Sequence, residues 1–203
     1  MQRMGVFLGF VPWIVFSVVA GPSTWEWAAP AALVCSLILV VPDWRQTRSM
    51  SILDATGIVF FAVMAVLALV LDHAVLQPLE DRAQLLSAVV IALVAFGSLA
   101  AGRPFTEYYA KQTTPREYWH SPIFKRINRV LTAVWGGVFV INALCDVAAG
   151  YLGADSDIFN WVLPVIVIVA AVKFTSWYPD HASGGPDEGR AAPAAPPAAA
   201  PQP

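Results

Sequence analysis

Residues 52–71 read ILDATGIVFFAVMAVLALVL and contain a single charged side chain, Asp54. At ~1.5 Å per residue, a helix of this length covers the ~30 Å hydrocarbon core of a bilayer. Only helices and closed barrels satisfy their backbone hydrogen bonds in lipid. Because the apolar residues do not alternate with polar ones, as they would in a barrel strand, this stretch predicts a transmembrane helix.

The same kind of stretch recurs along the chain. Apolar runs occupy residues 4–20, 25–41, 52–71, 84–101, 130–150 and 158–178, to within a residue or two. The overall composition agrees, because 58% of the 203 residues are hydrophobic and only 13% are charged. A soluble domain has about twice that charged fraction. We therefore predict an all-α, polytopic membrane protein in which residues 1–180 form a bundle of about six transmembrane helices.

The positions of Lys and Arg predict how this bundle is oriented. In short loops these residues accumulate on the cytoplasmic side. Nine lie on the side of the N-terminus, and Arg82 alone lies on the other side. The nine are Arg3, Arg45, Arg48, Arg103, Lys111, Arg116, Lys125, Arg126 and Arg129. This bias predicts cytoplasmic N- and C-termini and a cytoplasmic loop at 102–129.

The N-terminal segment leaves the number of helices open, and the C-terminal segment predicts a disordered tail. Arg3 followed by an apolar run and Val18-Val19-Ala20 also fits a cleaved signal peptide, which would leave five helices. Residues 181–203 are rich in Ala and Pro. Such a segment buries too little apolar surface to order itself, so we expect a disordered cytoplasmic tail.

Two short patterns predict where helices begin. Ser51 followed by Asp54 three residues later fits a capping box, in which side chains satisfy the first free backbone N–H groups. Ser121 followed by Pro122 combines an N-cap with proline at the first helical position, where its missing N–H costs nothing. The fifth long helix is therefore expected to begin at Pro122, well before the apolar run at 130–150.

Polar side chains within the apolar runs are functional candidates, because they are costly in lipid. The fifth long helix, which contains the run at 130–150, has five at helical spacing along one face: Asn128, Thr132, Trp135, Asn142 and Asp146. We expect this face to point into the bundle, either as interhelical contacts or as a substrate or proton path.

Two further charges, Asp54 and Lys173, are expected in the same leaflet and form a candidate ion pair. The alternatives are that Asp54 caps its own helix and that Lys173 extends to the headgroups.

The loop at 102–129 combines basic and aromatic residues. Phe105, Tyr108 and Tyr109 share one face of a short helix, which predicts an interfacial helix with its rings among the headgroups. Its basic side chains would favour anionic lipid. The full set is Arg103, Phe105, Tyr108, Tyr109, Arg116, Trp119, His120, Lys125, Arg126 and Arg129. The alternatives are a partner-binding surface and an acid–base cluster of Glu107, Glu117 and His120.

The residues that usually hold metals or cofactors are few and scattered. Cys35 and Cys145 lie inside apolar runs and form no CxxC pair, and the three histidines lie outside these runs. A structural zinc site needs about four such ligands. We expect no metal ion, no cofactor, no catalytic site and no nucleic-acid partner.

Short motifs in several places give the chain a family resemblance. They are Phe10-Val11-Pro12-Trp13, Trp44-Arg45, Arg103-Pro104-Phe105, Pro115, Trp119, Arg126-Ile127-Asn128 and the spacing from Asn128 to Asn142. With this layout the chain resembles the intracellular septation protein A family of small bacterial inner-membrane proteins. Residues 121–125 are an insertion relative to that pattern, and Trp135 lies one turn later.

The resemblance implies a non-enzymatic role in cell-envelope maintenance or cell division. It implies location in the bacterial inner membrane and action through membrane protein partners or a homo-oligomer. A small transporter or channel is the second hypothesis, and a lipid-modifying enzyme is the third.

Overall fold

The computed structural model describes residues 5–19, 25–71, 78–79, 82–152 and 158–182. Within these ranges it contains seven α-helices of nine residues or more and no β-strand, so the predicted all-α fold is confirmed there. The helices are α1 (Gly5–Val19), α2 (Trp25–Thr47), α3 (Ile52–Val70), α4 (Ala83–Ala100), α5 (Phe105–Thr113), α6 (Pro122–Leu152) and α7 (Leu163–Ala182). A 3₁₀ turn at Arg116–Tyr118 joins α5 to α6, and a π turn at Ile158–Val162 precedes α7.

Five of these helices are long and apolar enough to cross a membrane. They are α2, α3, α4, α6 and α7. The described part of α1 has 15 residues, which is shorter than the ~20 residues that a spanning helix needs. The chain is therefore consistent with a multi-pass membrane protein.

Local side-chain chemistry sets two of the helix starts. The Ser51 hydroxyl accepts a hydrogen bond from the Leu53 N–H at 3.1 Å, which caps α3. Helix α6 begins at Pro122, as its sequence pattern predicts, and the Ser121 hydroxyl accepts a hydrogen bond from the Phe124 N–H at 3.1 Å. Helix α7 extends to Ala182. The remainder of the predicted tail, 183–203, lies outside the described residues.

Aromatic residues of α1 occupy the centre of the bundle. The Phe10 ring stacks on Trp135 of α6 with 4.9 Å between ring centroids, and the Trp13 ring lies 4.8 Å from the ring of Phe61 on α3. Phe16 is fully buried. Helix α1 thus contributes much of the buried aromatic core.

Helix α4 packs along α6 at short distance. A Cβ atom built on Gly136 would lie 3.2 Å from the Ala95 Cβ atom and 2.9 Å from the Phe96 ring, so the glycine leaves room for this contact. A Cβ atom on the neighbouring Gly137 would meet nothing within 4 Å. Small residues of this kind let membrane helices approach closely.

Candidate functional site

Helix α5 lies across one end of the bundle, where it contacts the ends of five other helices. Its first residue, Phe105, is buried, and its ring meets Phe10 of α1 edge-on at 6.1 Å. The Phe105 N–H donates to the Ser98 hydroxyl of α4 at 3.1 Å. We call this region the α5 end of the bundle. It is the candidate functional site because it also carries most of the basic side chains.

Thr106 joins α5 to α6 through buried hydrogen bonds. Its hydroxyl donates to the Asn128 carbonyl oxygen at 2.9 Å and lies 2.8 Å from the Thr132 hydroxyl. Thr106 has one hydroxyl proton, so Thr132 donates the second bond. All three residues are at most 2% exposed. The Asn128 side-chain amide donates to the Phe124 carbonyl oxygen at 2.8 Å. This contact fixes the position of α5 relative to the start of α6.

Tyr109 joins α5 to α1 and α3. Its hydroxyl donates to Asp54 Oδ1 at 3.2 Å, and its ring is buried. Burial, followed by the nearby Asp54 carboxylate, raises the pKa of Tyr109 well above the ordinary value. A Cβ atom on Gly9 would lie 2.8 Å from Tyr109 Cζ. The absence of a side chain at Gly9 therefore makes room for the tyrosine ring.

Tyr108 points to the end of α2. Its hydroxyl lies 3.0 Å from Asp43 Oδ2 and 3.1 Å from the Ser49 carbonyl oxygen. The rings of Phe105 and Tyr109 are enclosed by protein, so the prediction that they insert among lipid headgroups was wrong for these two residues. The aromatic face of α5 does not meet lipid there. Phe105 and Tyr109 instead fill the space between the ends of α1, α3 and α6.

The basic side chains at this end point outward. Arg103, Arg116, Lys125, Arg126 and Arg129 are exposed.

The ring of Trp119 lies under two cations, with Lys111 Nζ at 5.4 Å and Arg116 Cζ at 5.6 Å from its centroid. Its indole N–H donates to the Thr114 carbonyl oxygen at 2.8 Å. The contact with Lys111 holds the turn after α5 against the last turn of that helix.

A pocket of about 480 Å³ opens at the start of α6. It is lined by His120, Pro122, Lys125, Arg126, Arg129 and Val130. The acid–base alternative needs Glu107 or Glu117 beside His120, and neither lines this pocket. Glu107 instead forms an ion pair with Lys111 at 2.6 Å. Among the described residues, no group of three or more His, Cys, Asp or Glu side chains is placed to hold a metal ion.

The polar face of α6 divides into two parts. Asn128, Thr132 and Trp135 are buried, and the Trp135 indole N–H donates to the Thr175 hydroxyl of α7 at 3.0 Å. Further along, Asn142 and Asp146 are only partly buried. The buried Asn142 Oδ1 atom has no hydrogen-bond partner in the part of the chain that the structure describes. Interhelical contacts thus account for the first half of this face.

The predicted ion pair between Asp54 and Lys173 is not formed. Both residues are described, and no bond joins them. Asp54 accepts the Tyr109 hydroxyl, whereas Lys173 on α7 is exposed. The sequence places both residues at similar depth, but the two side chains point to different parts of the bundle.

Thr106, Ser98 and Thr175 carry contacts that sequence reasoning did not identify. Each is a small hydroxyl residue within or beside an apolar helix, and this signal alone does not distinguish them from other serines and threonines in the chain. Comparison with models of protein families, with curated proteins and with solved structures found no match to this chain.

Proposed function

We propose that this chain is a six-helix protein of the bacterial inner membrane, similar to the septation protein A family. It acts without catalysis in cell-envelope maintenance or cell division, through membrane partners. The observation that carries this proposal is the fixed position of α5. Buried contacts of Phe105, Thr106 and Tyr109 hold it across the bundle, while basic side chains face outward.

Two arguments support six spans with the α5 end in the cytoplasm. Eight of the nine basic residues of the cytoplasmic segments are described, in or beside α2, α5 and the start of α6 at this end, which agrees with the bias of positive charge toward the cytoplasm. Cleavage of a signal peptide after Ala20 would remove Phe10, Trp13 and Phe16, all of which are buried in the aromatic core. Retention of α1 as the first helix is therefore favoured.

The α5 end is then a rigid basic platform at the inner leaflet. Each Lys or Arg near an anionic membrane surface contributes about 1 kcal/mol of attraction. This attraction holds the platform at the headgroups and leaves Tyr118 and the outer side of the 3₁₀ turn exposed to the cytoplasm. A fixed, exposed surface beside the membrane suits a protein that works by contacting other membrane proteins.

Gene deletion in the native bacterium tests the proposed role. We expect longer cells, misplaced septa or lower tolerance of detergent, each restored by the wild-type gene. A Thr106→Val/Tyr109→Phe variant loosens the platform and should restore less, whereas Thr113→Val changes an exposed residue of the same helix and should restore fully. Normal length, septa and detergent tolerance in the deletion strain would contradict the proposal.

Crosslinking from defined positions identifies the partner class. A photo-crosslinking amino acid at Tyr118 probes the platform, and the same group at the exposed Val63 probes the outside of α3. We expect division or envelope proteins at Tyr118 and not at Val63. Recovery of the same proteins from both positions would show that capture does not depend on the platform.

One observation favours the transporter or channel hypothesis as a second candidate. The Asn142 Oδ1 atom, which has no hydrogen-bond partner among the described residues, lies one turn before Asp146 on the same face of α6. A buried amide oxygen with no partner is costly and is available to a passing solute or ion. Reconstituted protein that moves ions or small solutes, with flux abolished by Asn142→Leu, would support this candidate over the first.

A further inference from the structure

The pocket at the start of α6 gathers three cations on one helical face. Lys125, Arg126 and Arg129 recur at helical spacing, and His120 joins them from the preceding turn. Within the described part of the chain, no carboxylate lies within ion-pair distance of the three basic side chains. Three like charges around one cavity repel one another, so an anion bound there relieves repulsion that the protein itself leaves unbalanced.

The rest of the lining is apolar and continues toward the membrane. Pro122 and Val130 complete the pocket, and Val130 begins the apolar run that crosses the bilayer. The cavity wall is therefore mainly apolar and includes the hydrocarbon stems of the basic residues, and the cationic groups of those residues supply its small polar part. A free anion would use only the cationic part. A molecule with an anionic head and an apolar tail would fill both parts.

We propose that this pocket binds the phosphate group of an anionic phospholipid, with an acyl chain lying along α6 beyond Val130. Arg126 and Arg129 bind the phosphate oxygens, because guanidinium groups match phosphate geometry with paired hydrogen bonds. Lys125 adds a point charge and His120 a ring N–H donor. This inference rests on the membrane orientation of the proposed function and deepens it, since it replaces general surface attraction with a defined lipid site.

Native mass spectrometry of the purified full-length protein in detergent tests the site. The ligands are phosphatidylglycerol, phosphatidylcholine and inorganic phosphate. The variant is Arg126→Gln/Arg129→Gln, and the matched control is Arg45→Gln/Arg103→Gln, which removes two exposed charges from the same end but outside the pocket. We expect the pocket variant to bind phosphatidylglycerol about tenfold or more weakly than the control does.

Any of the following three results would overturn the inference. If the pocket variant and the control variant lose phosphatidylglycerol affinity equally, the binding is nonspecific attraction to the charged surface. Equal affinity for phosphatidylcholine would exclude recognition of the anionic head, and full competition by inorganic phosphate would identify a soluble anion as the ligand. Arg126→Lys/Arg129→Lys keeps the charges but loses the paired hydrogen bonds, so its affinity for phosphatidylglycerol should lie between those of the wild type and the Gln variant. The deletion phenotype is measured separately, so either proposal can fail without the other.

Discussion

Replacing Thr106 with valine tests whether buried hydrogen bonds hold α5 in place. Valine has nearly the same shape but cannot donate to the Asn128 carbonyl oxygen or accept from the Thr132 hydroxyl. A typical buried hydrogen bond contributes about 1 kcal/mol. Thr106→Val removes two such bonds, so we expect a loss of about 2 kcal/mol in the free energy of unfolding. Thr132→Val removes only one and should lose about 1 kcal/mol.

The double variant distinguishes this explanation from general disruption. Thr106→Val/Thr132→Val removes the same two bonds as Thr106→Val alone, so it should also lose about 2 kcal/mol rather than the additive 3 kcal/mol. Unfolding in mixed micelles with increasing sodium dodecyl sulfate, followed by far-ultraviolet circular dichroism, gives these free energies.

The matched control is Thr113→Val on the same helix. The Thr113 side chain is exposed, and within the described part of the chain its hydroxyl bonds only to the Ala110 carbonyl oxygen of its own helix at 3.2 Å. We expect a change within about 0.5 kcal/mol. The reasoning is refuted if Thr106→Val costs no more than Thr113→Val, or if the double variant loses the full additive amount.

Further predictions concern close packing and the buried tyrosine. Gly136→Ala should destabilise the α4–α6 contact by about 1–3 kcal/mol, whereas Gly137→Ala should be neutral; equal effects in the same unfolding assay would contradict the packing. Gly9→Ala should cost a similar amount by displacing the Tyr109 ring, and an unchanged unfolding midpoint would count against that contact. Tyr109→Phe should cost about 1–3 kcal/mol through loss of the bond to Asp54. Because burial raises the pKa of Tyr109, the difference in phenolate absorbance between wild type and Tyr109→Phe should stay near zero at about pH 10; a phenolate signal there would show an accessible ring.

Much of the helical layout follows from local information in the sequence. A spanning helix is predicted by length and hydropathy because lipid offers no backbone hydrogen bonds. The start of α6 is predicted because Ser121 and Pro122 act on their own backbone. The described part of α1 is the exception. Its 15 residues are shorter than the usual spanning length, and its place in the aromatic core depends on residues far away in sequence.

The orientation of α5 required information that the sequence does not contain locally. The aromatic pattern predicts a face of Phe105, Tyr108 and Tyr109, whereas the buried face consists of Phe105, Thr106 and Tyr109. A nine-residue amphipathic helix has the same pattern whether its apolar face meets lipid or protein. The observed rotation of α5 about its axis is selected by Thr132, which bonds to Thr106 and lies 26 residues further along the chain. The Asp54–Lys173 prediction failed similarly, because hydropathy gives depth in the membrane but not direction around the bundle.

The length of α6 has a mechanical consequence. Its 31 residues form a rod of about 46 Å, which exceeds the ~30 Å hydrocarbon core by several turns. Thr106 ties α5 to this rod near its base by buried bonds, and Trp135 ties its middle to α7. A displacement of α5 is therefore transmitted to a stiff helix that is long enough to cross a bilayer. Among the described residues, its far end, with Asn142 and Asp146, makes fewer polar contacts, so such a displacement would be accommodated there.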